Sequence, residues 1–311
     1  MISCPQNIEQ FEDLFKSEDD CIRCLIQVRW PNGFICEKCQ STKHWLSGKL
    51  LGCSTCGNKV RILAGTIFQD TKLPLMKWFR AIWEVVRRKS GVSALALQDE
   101  LGLTYKTVWT LLHKIRRAMV RPGREKLKGT VEVDETLYGS FEEGYPGRGS
   151  DKKALIIIGV ELNDNDSLGR IRMNLIESAS ADNINVFIEE NIDKGTNIIT
   201  DGWSGYHSIS KYGYKHDVKC ISKDKDALPH VHLVISLFKR WILGTYQGGI
   251  SRDQLEYYLD EHVFRFNRRM SKNRGLLFQR IIENSVKVEP VTYNKISRGT
   301  KPYSEREKII I

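Results

Sequence analysis

Two short cysteine pairs constrain this chain more than any other feature: Cys36-Glu-Lys-Cys39 and Cys53-Ser-Thr-Cys56, with thirteen residues between them. Each pair can present two thiolates from one tight turn, and two such turns complete a tetrahedral zinc site. Gly57 after the second pair and the polar Gln40-Ser-Thr-Lys43 after the first suit the turns that such pairs require. Four protein ligands leave no open coordination position, so the expected Zn²⁺ is structural and organises a small ribbon over residues 31–66. His44 lies between the pairs, but four cysteines already suffice. Cys21 and Cys24 belong to a helix-like stretch, 18–26, beside apolar partners, and read as core; Cys4 and Cys220 carry no signal.

The eight cysteines are read as thiols or metal ligands because nothing points to an oxidising compartment. Met1-Ile-Ser-Cys-Pro-Gln-Asn lacks the basic and apolar segments of a secretory signal, and the apolar run 154–160 is too short to span a bilayer. A cytoplasmic setting is expected. The net charge of +10 is concentrated: residues 72–130 hold 14 Lys and Arg against 4 Asp and Glu, a surplus equal to that of the whole chain. A solubility effect would spread such a surplus, so a polyanionic partner is expected at this segment, and double-stranded DNA with it, which places the protein on the nucleoid.

The same segment has a helical pattern. Trp78, Ile82, Val85 and Val86 form an apolar stripe that closes on Arg87-Arg-Lys89, and Gly91 breaks the helix. Ser93 can cap a short helix over 94–101 that ends at Gly102, and Thr104 can cap a longer one in which Val108, Leu112, Ile115 and Met119 recur. Short helix, glycine turn, longer helix is the helix-turn-helix pattern, here within 72–120. Its second helix would offer Tyr105, Lys106 and Thr107 to the major groove and Lys114, Arg116 and Arg117 to phosphates; a plain helical hairpin with a solvated basic face is the competing reading.

Beyond Pro122-Gly123 the pattern becomes mixed α/β. Strands are expected at 131–137, 155–162, 171–176, 197–200 and 218–221, with a helix over 180–191 between the third and fourth. Three strands, a helix, a fourth strand, a short helical stretch and a fifth strand match the ribonuclease H order. Asp134 then lies on the first strand and Asp201 just after the fourth, 67 residues on. Those strands are neighbours in that fold, and two carboxylates at the ends of buried strands suggest a shared divalent metal. Glu135 points to the opposite strand face and is set aside as a co-ligand. A helix over 228–245 follows, on which His232, Ser236 and Lys239 share one face. By itself such a histidine reads as a capping or core residue.

Together these residues resemble the bacterial and archaeal insertion-sequence transposases of the DDE class that carry an N-terminal zinc ribbon. The resemblance runs through Arg29-Trp-Pro-Asn-Gly-Phe-Ile-Cys-Glu-Lys-Cys39, Gly65-Thr-Ile-Phe68, Lys72-Leu-Pro-Leu75, Leu101-Gly-Leu-Thr-Tyr-Lys-Thr107 and Lys114-Ile-Arg-Arg-Ala-Met119. It continues in Val133-Asp-Glu-Thr136, Asp201-Gly-Trp-Ser-Gly-Tyr206, Lys239-Arg-Trp241, Gly244-Thr-Tyr246 and Phe264-Arg-Phe-Asn-Arg-Arg269. It implies a multidomain α/β chain: a helical segment over 1–30, the zinc ribbon, the helix-turn-helix region, a ribonuclease H-like catalytic domain over 129–285 and a basic tail over 286–311. It also implies Mg²⁺- or Mn²⁺-dependent cleavage at element ends and joining to target DNA, by a homodimer or higher assembly that holds two ends.

By resemblance, Asp134 and Asp201 are the first two acids. The third acid of the family lies about two helical turns before a basic residue, and that position is His232, seven residues before Lys239. This departs from Asp-Asp-Glu in the manner of a subgroup with histidine or asparagine there, and makes His232 a metal ligand and Lys239 a phosphate contact. Imidazole brings no negative charge and suits Mn²⁺ better than Mg²⁺; Asp226, Glu256 and Glu261 are nearby acids that nothing in the spacing selects. Two other functions fit parts of the pattern. A DNA-binding regulator would use the N-terminal half without needing the aspartates, and a structure-specific nuclease would cut without joining.

Overall fold

The computed structural model describes residues 4–121, 123–139, 153–219 and 227–299, which divide into two compact units. One unit takes the chain up to Arg121 together with Ser271–Ile296; the other takes the stretch that ends at Met270.

The first unit opens with α1 (Ile8–Leu14) and α2 (Glu18–Arg29). Ser17 starts α2 with a reciprocal cap: its hydroxyl accepts from the Asp20 N–H, and the Asp20 carboxylate accepts from the Ser17 N–H at 2.8 Å. Cys21 and Cys24 point inward as expected, and burial pushes both thiols up, Cys24 to about 12. The ribbon is the antiparallel sheet β1 (His44–Ser47), β2 (Leu50–Cys53) and β3 (Lys59–Arg61), in that order.

Next come α3 (Leu75–Arg87), α4 (Ala94–Leu101) and α5 (Tyr105–Arg117). Trp78, Ile82, Val85 and Val86 are all buried, so the stripe on α3 is a core face. The caps fall where the side chains allow: Ser93 Oγ accepts from the Ala96 N–H, Thr104 Oγ1 from the Thr107 N–H, and Gly102 ends α4 in the left-handed region at φ 59°.

The second unit is built on a five-stranded sheet. Its strands are β4 (Thr130–Tyr138), β5 (Ala154–Leu162) and β6 (Leu168–Ile176), then, after α6 (Ala181–Asn191), β7 (Asn197–Thr200) and β8 (Lys215–Val218). The order across the sheet is β6-β5-β4-β7-β8; β4, β5 and β6 run antiparallel, while β7 lies parallel to β4 and β8 to β7. The fifth strand thus ends at Val218 rather than starting there, and residues 220–226, with Cys220 and Asp226, lie outside the described residues.

Alternation along the strands feeds two cores. Val131, Val133, Ile157 and Ile198 pack with Ile184, Phe187 and Ile188 of α6 on one face. Ile156, Ile158, Val160 and Ile199 pack on the other with α7 (Pro229–Tyr246) and α8 (Leu255–Phe266). That second face is the one on which Asp134 lies, because Asp134 pairs with Ile158 across the β4–β5 ladder. Among the described residues no helix is long and apolar enough to cross a membrane.

The chain closes with α9 (Arg274–Ser285) and α10 (Tyr293–Ser297). The sequence pattern places 271–285 in the catalytic domain, whereas α9 belongs to the first unit. Phe278, fully buried, sits among Phe11, Phe15, Phe79 and Trp83 with ring centroids 5.6 to 6.2 Å away. Five aromatic rings from three segments, α1 with its C-terminal cap, α3 and α9, make that core, and helical periodicity cannot name such a partner.

Candidate active site and metal centres

The four ribbon cysteines converge. All four sulfurs lie within 4.8 Å of one another, with Cys36 and Cys56 3.6 Å apart and Cys39 and Cys53 3.5 Å apart. A tetrahedron with Zn–S bonds of about 2.3 Å has S···S edges of about 3.8 Å, so the donor set fits Zn²⁺. The two turns have the same construction: the Gln40 N–H returns to the Cys36 carbonyl and the Gly57 N–H to the Cys53 carbonyl, with both residues in the left-handed region. Backbone N–H groups of Cys56 and Thr55 aimed at the Cys53 sulfur outweigh its burial and bring that thiol down to about 6. His44 is turned away, its Nδ1 on the Thr42 carbonyl.

In the second unit, strand register brings the two aspartates together. β4 and β7 pair as Thr130 with Asn197, Val131 with Ile198 and Glu132 with Ile199. The constant offset of 67 residues carries on, one step past the end of β7, to set Asp201 level with Asp134 on the same face. The Asp134 carboxylate accepts from the Glu135 N–H at 2.7 Å, and its Oδ2 meets His232 Nε2 at 3.2 Å. Asp201 is oriented by its own turn, Oδ1 accepting from the Trp203 N–H at 3.0 Å. Gly205 keeps that turn tight, since a Cβ there would stand 2.8 Å from the Ala179 carbonyl oxygen and from Ile184 Cδ1.

Burial and the charge of Asp201 push the Asp134 carboxyl up, against the pull of the Glu135 N–H and of His232. The three groups do not form a knot like that of the thiols: among the described residues only the cysteines bring three or more donor atoms within 4.8 Å of one another. Asp134 and His232 touch, and Asp201 is felt through its charge.

Glu135 projects to the other face of the sheet, where its Oε1 accepts from the buried Tyr206 hydroxyl at 2.6 Å. Glu261 is held by Arg265 at 2.7 Å and by the Tyr246 hydroxyl at 3.1 Å. Tyr246 ends α7, fourteen residues or about 21 Å from His232, which takes Glu261 away from the site. Glu256 is buried in α8. Lys239 stands exposed two turns along α7 from His232.

Sequence reasoning missed two residues at this site. Glu132 shares the Asp134 face of β4, accepts from the Val231 N–H at 2.8 Å and meets His230 Nδ1 at 2.9 Å. His230 Nε2 reaches the Asp166 carbonyl oxygen at 2.9 Å. Period-two alternation with Asp134 was the available signal for Glu132.

In the first unit the expected DNA contacts separate. Tyr105, Lys106 and Thr107 are exposed at the start of α5, with the Lys106 ammonium 4.3 Å over the Tyr293 ring and the Thr107 hydroxyl 2.9 Å from that of Thr104. Arg116 must be reassigned: it is 2% exposed, with its guanidinium 3.5 Å from His113 Nδ1, so it cannot reach a phosphate from there. Lys114 and Arg117 are half-buried, and burial lowers the Lys114 ammonium. Part of the basic surplus is also internal, since the buried Glu84 carboxylate takes Arg80, Arg87 and Arg88.

Comparison with known proteins matches both units. Residues 16–59, which hold all four thiols, match the transposase zinc-ribbon domain, and residues 126–267 match the ISXO2-like transposase domain. The second match includes Asp134, Asp201, His232 and Lys239. The chain is also 25% identical over 287 residues to an uncharacterized protein in transposable element ISH50 of Halobacterium salinarum, covering 84% of this chain and 94% of that relative. With the two domain matches in this order, the chain is similar to insertion-sequence transposases that carry a zinc ribbon ahead of an ISXO2-like transposase domain.

Proposed function

We propose that this chain is a transposase that binds the terminal repeats of its element through the first unit and cleaves and joins DNA at a metal site made by Asp134, Asp201 and His232. The observation that carries this reading is the parallel register that sets Asp201 beside Asp134, with His232 Nε2 3.2 Å from the Asp134 carboxylate. The strand order β6-β5-β4-β7-β8 supports a ribonuclease H-like description of the unit.

The donor set fits Mg²⁺ or Mn²⁺. Two carboxylates sit on adjacent strands, Asp134 midway along β4 rather than at its end as expected and Asp201 just past the end of β7. Burial with mutual repulsion already raises Asp134, which is an excess of negative charge that a divalent cation relieves. Bound there, divalent cations would supply Lewis-acid activation of water or a DNA 3′-hydroxyl and neutralise the leaving oxygen. The chain's own residues do the rest. Asp134 offers one oxygen towards α7 and the other to the Glu135 N–H, so its plane is fixed before anything binds. The Trp203 N–H fixes Asp201 in the same way. Lys239, about 10 Å along the helix from His232, is placed to hold a phosphate of the strand being cut.

In the first unit, the helix-turn-helix formed by α4 and α5 presents Tyr105 and Lys106 to the groove, with Lys114 and Arg117 at its flank. Two element ends call for at least a dimer, working in the cytoplasm on the nucleoid. Asp201→Asn is expected to abolish Mn²⁺- or Mg²⁺-dependent cleavage of end-containing DNA while binding is retained. Cleavage by that variant at the wild-type rate would refute the metal-site assignment.

A further inference from the structure

His232 reaches Asp134 only if the start of α7 is held against β4, and the helix does not cap itself. Leu228 at its N-cap makes no side-chain hydrogen bond, and Pro229 occupies the first turn without an N–H. The acceptor comes from another element. Glu132, 1% exposed and two residues before Asp134 on the same strand face, accepts from the Val231 N–H at 2.8 Å. A carboxylate there also meets the positive end of the helix dipole.

The same carboxylate takes His230 Nδ1 at 2.9 Å, while His230 Nε2 donates to the Asp166 carbonyl oxygen at 2.9 Å. Asp166 lies in the turn between β5 and β6. Both ring nitrogens therefore face acceptors, and the imidazole bridges strand β4 to the hairpin turn. Spacing completes the picture: Glu132 and Asp134 are two apart on β4, and His230 and His232 are two apart in the first turn of α7. One pair is a clamp and the next is the candidate metal pair.

We propose that Glu132 and His230 are positioning residues that lock the first turn of α7 onto β4 and so hold the His232 imidazole at the Asp134 carboxylate. This rests on the reading of Asp134 and His232 as metal ligands, and it adds the groups behind them. Outer-shell partners of this kind typically change metal affinity by 10- to 100-fold when removed. The clamp would act by fixing where His232 stands before a metal arrives.

The test uses the full-length, zinc-loaded protein with Glu132→Gln and His230→Gln. Glutamine at 132 keeps an oxygen for the Val231 N–H but loses the charge, and His230→Gln leaves Glu132 as a helix cap if the first variant does not fold. Two quantities are read: the ¹⁵N shifts of the His232 imidazole in protein free of Mn²⁺, and Mn²⁺ binding followed by the loss of the free-ion electron paramagnetic signal. The expected result is a shifted or broadened His232 resonance in both variants and Mn²⁺ affinity reduced about tenfold or more. A purely structural role would lower the unfolding temperature and leave the His232 resonance in place, and that outcome overturns the proposal. If wild type and Asp134→Asn bind Mn²⁺ equally, the metal reading itself fails, and the metal-free His232 shifts still decide whether the clamp exists.

Discussion

His262 supplies a stability prediction that can be worked from its surroundings. It is buried on α8, its ring lying 5.2 Å from Phe238, 5.1 Å from Trp241 and 6.2 Å from Phe266, and its Nε2 has no hydrogen-bond partner among the described residues. Burial, helped by the charge of Arg265, lowers this imidazole to about 3. The unfolded chain binds the proton near pH 6.5, so the stabilising effect of neutral His262 is complete above that value and declines as pH falls towards 3. At about pH 5 the gap from the unfolded value is roughly 1.5 units, which corresponds to a loss of about 2 kcal/mol. His262→Phe keeps the aromatic packing and removes the titration. Urea unfolding at about pH 7.5 and about pH 5, followed by far-ultraviolet circular dichroism, should show the stability difference between variant and wild type moving by about 2 kcal/mol in the variant's favour. Zinc loss from the ribbon on acidification is common to both proteins and cancels in that difference. An equal pH dependence in the two proteins would refute the buried, neutral assignment.

Cys53→Ser should release the zinc, so metal analysis by mass spectrometry would drop from one Zn²⁺ per chain to none; retention of a full equivalent would contradict the four-thiolate site. Lys106→Ala should weaken binding to end DNA and flatten its dependence on log salt by about one contact, while Arg116→Met should leave that slope unchanged and lower stability by roughly 1–3 kcal/mol. A changed slope for Arg116→Met would return that residue to the DNA surface. Lys239→Ala should reduce end cleavage about 10- to 100-fold at an unchanged Mn²⁺ requirement, measured in single-turnover assays. Cleavage at the wild-type rate would remove Lys239 from the phosphate site.

The legible parts of the chain were those set by local spacing. Two CxxC pairs can do little else, and the period-two strands placed Asp134 and Glu135 on opposite faces. The strands expected to carry Asp134 and to precede Asp201 do pair as neighbours, with a register that only the structure supplies. What was not legible depended on the partner. Arg116 lies on a helix whose charge pattern reads as solvated, yet it is buried, with its guanidinium beside His113 one turn back on α5. α9 follows the second unit in sequence but contributes Phe278 to the aromatic core of the first. Glu132 looked like one more strand residue, because its role depends on a helix that begins 97 residues later at Pro229.

The most direct measurement is cleavage of end-containing DNA in Mg²⁺ and in Mn²⁺ by wild type, His232→Ala and His232→Glu, with DNA binding recorded alongside. A neutral ligand over Asp134 and Asp201 should give wild type a preference for Mn²⁺, His232→Ala should lose at least about 100-fold in rate, and His232→Glu should cut with the preference shifted towards Mg²⁺. Wild-type rates from His232→Ala in both metals would contradict the three-residue site.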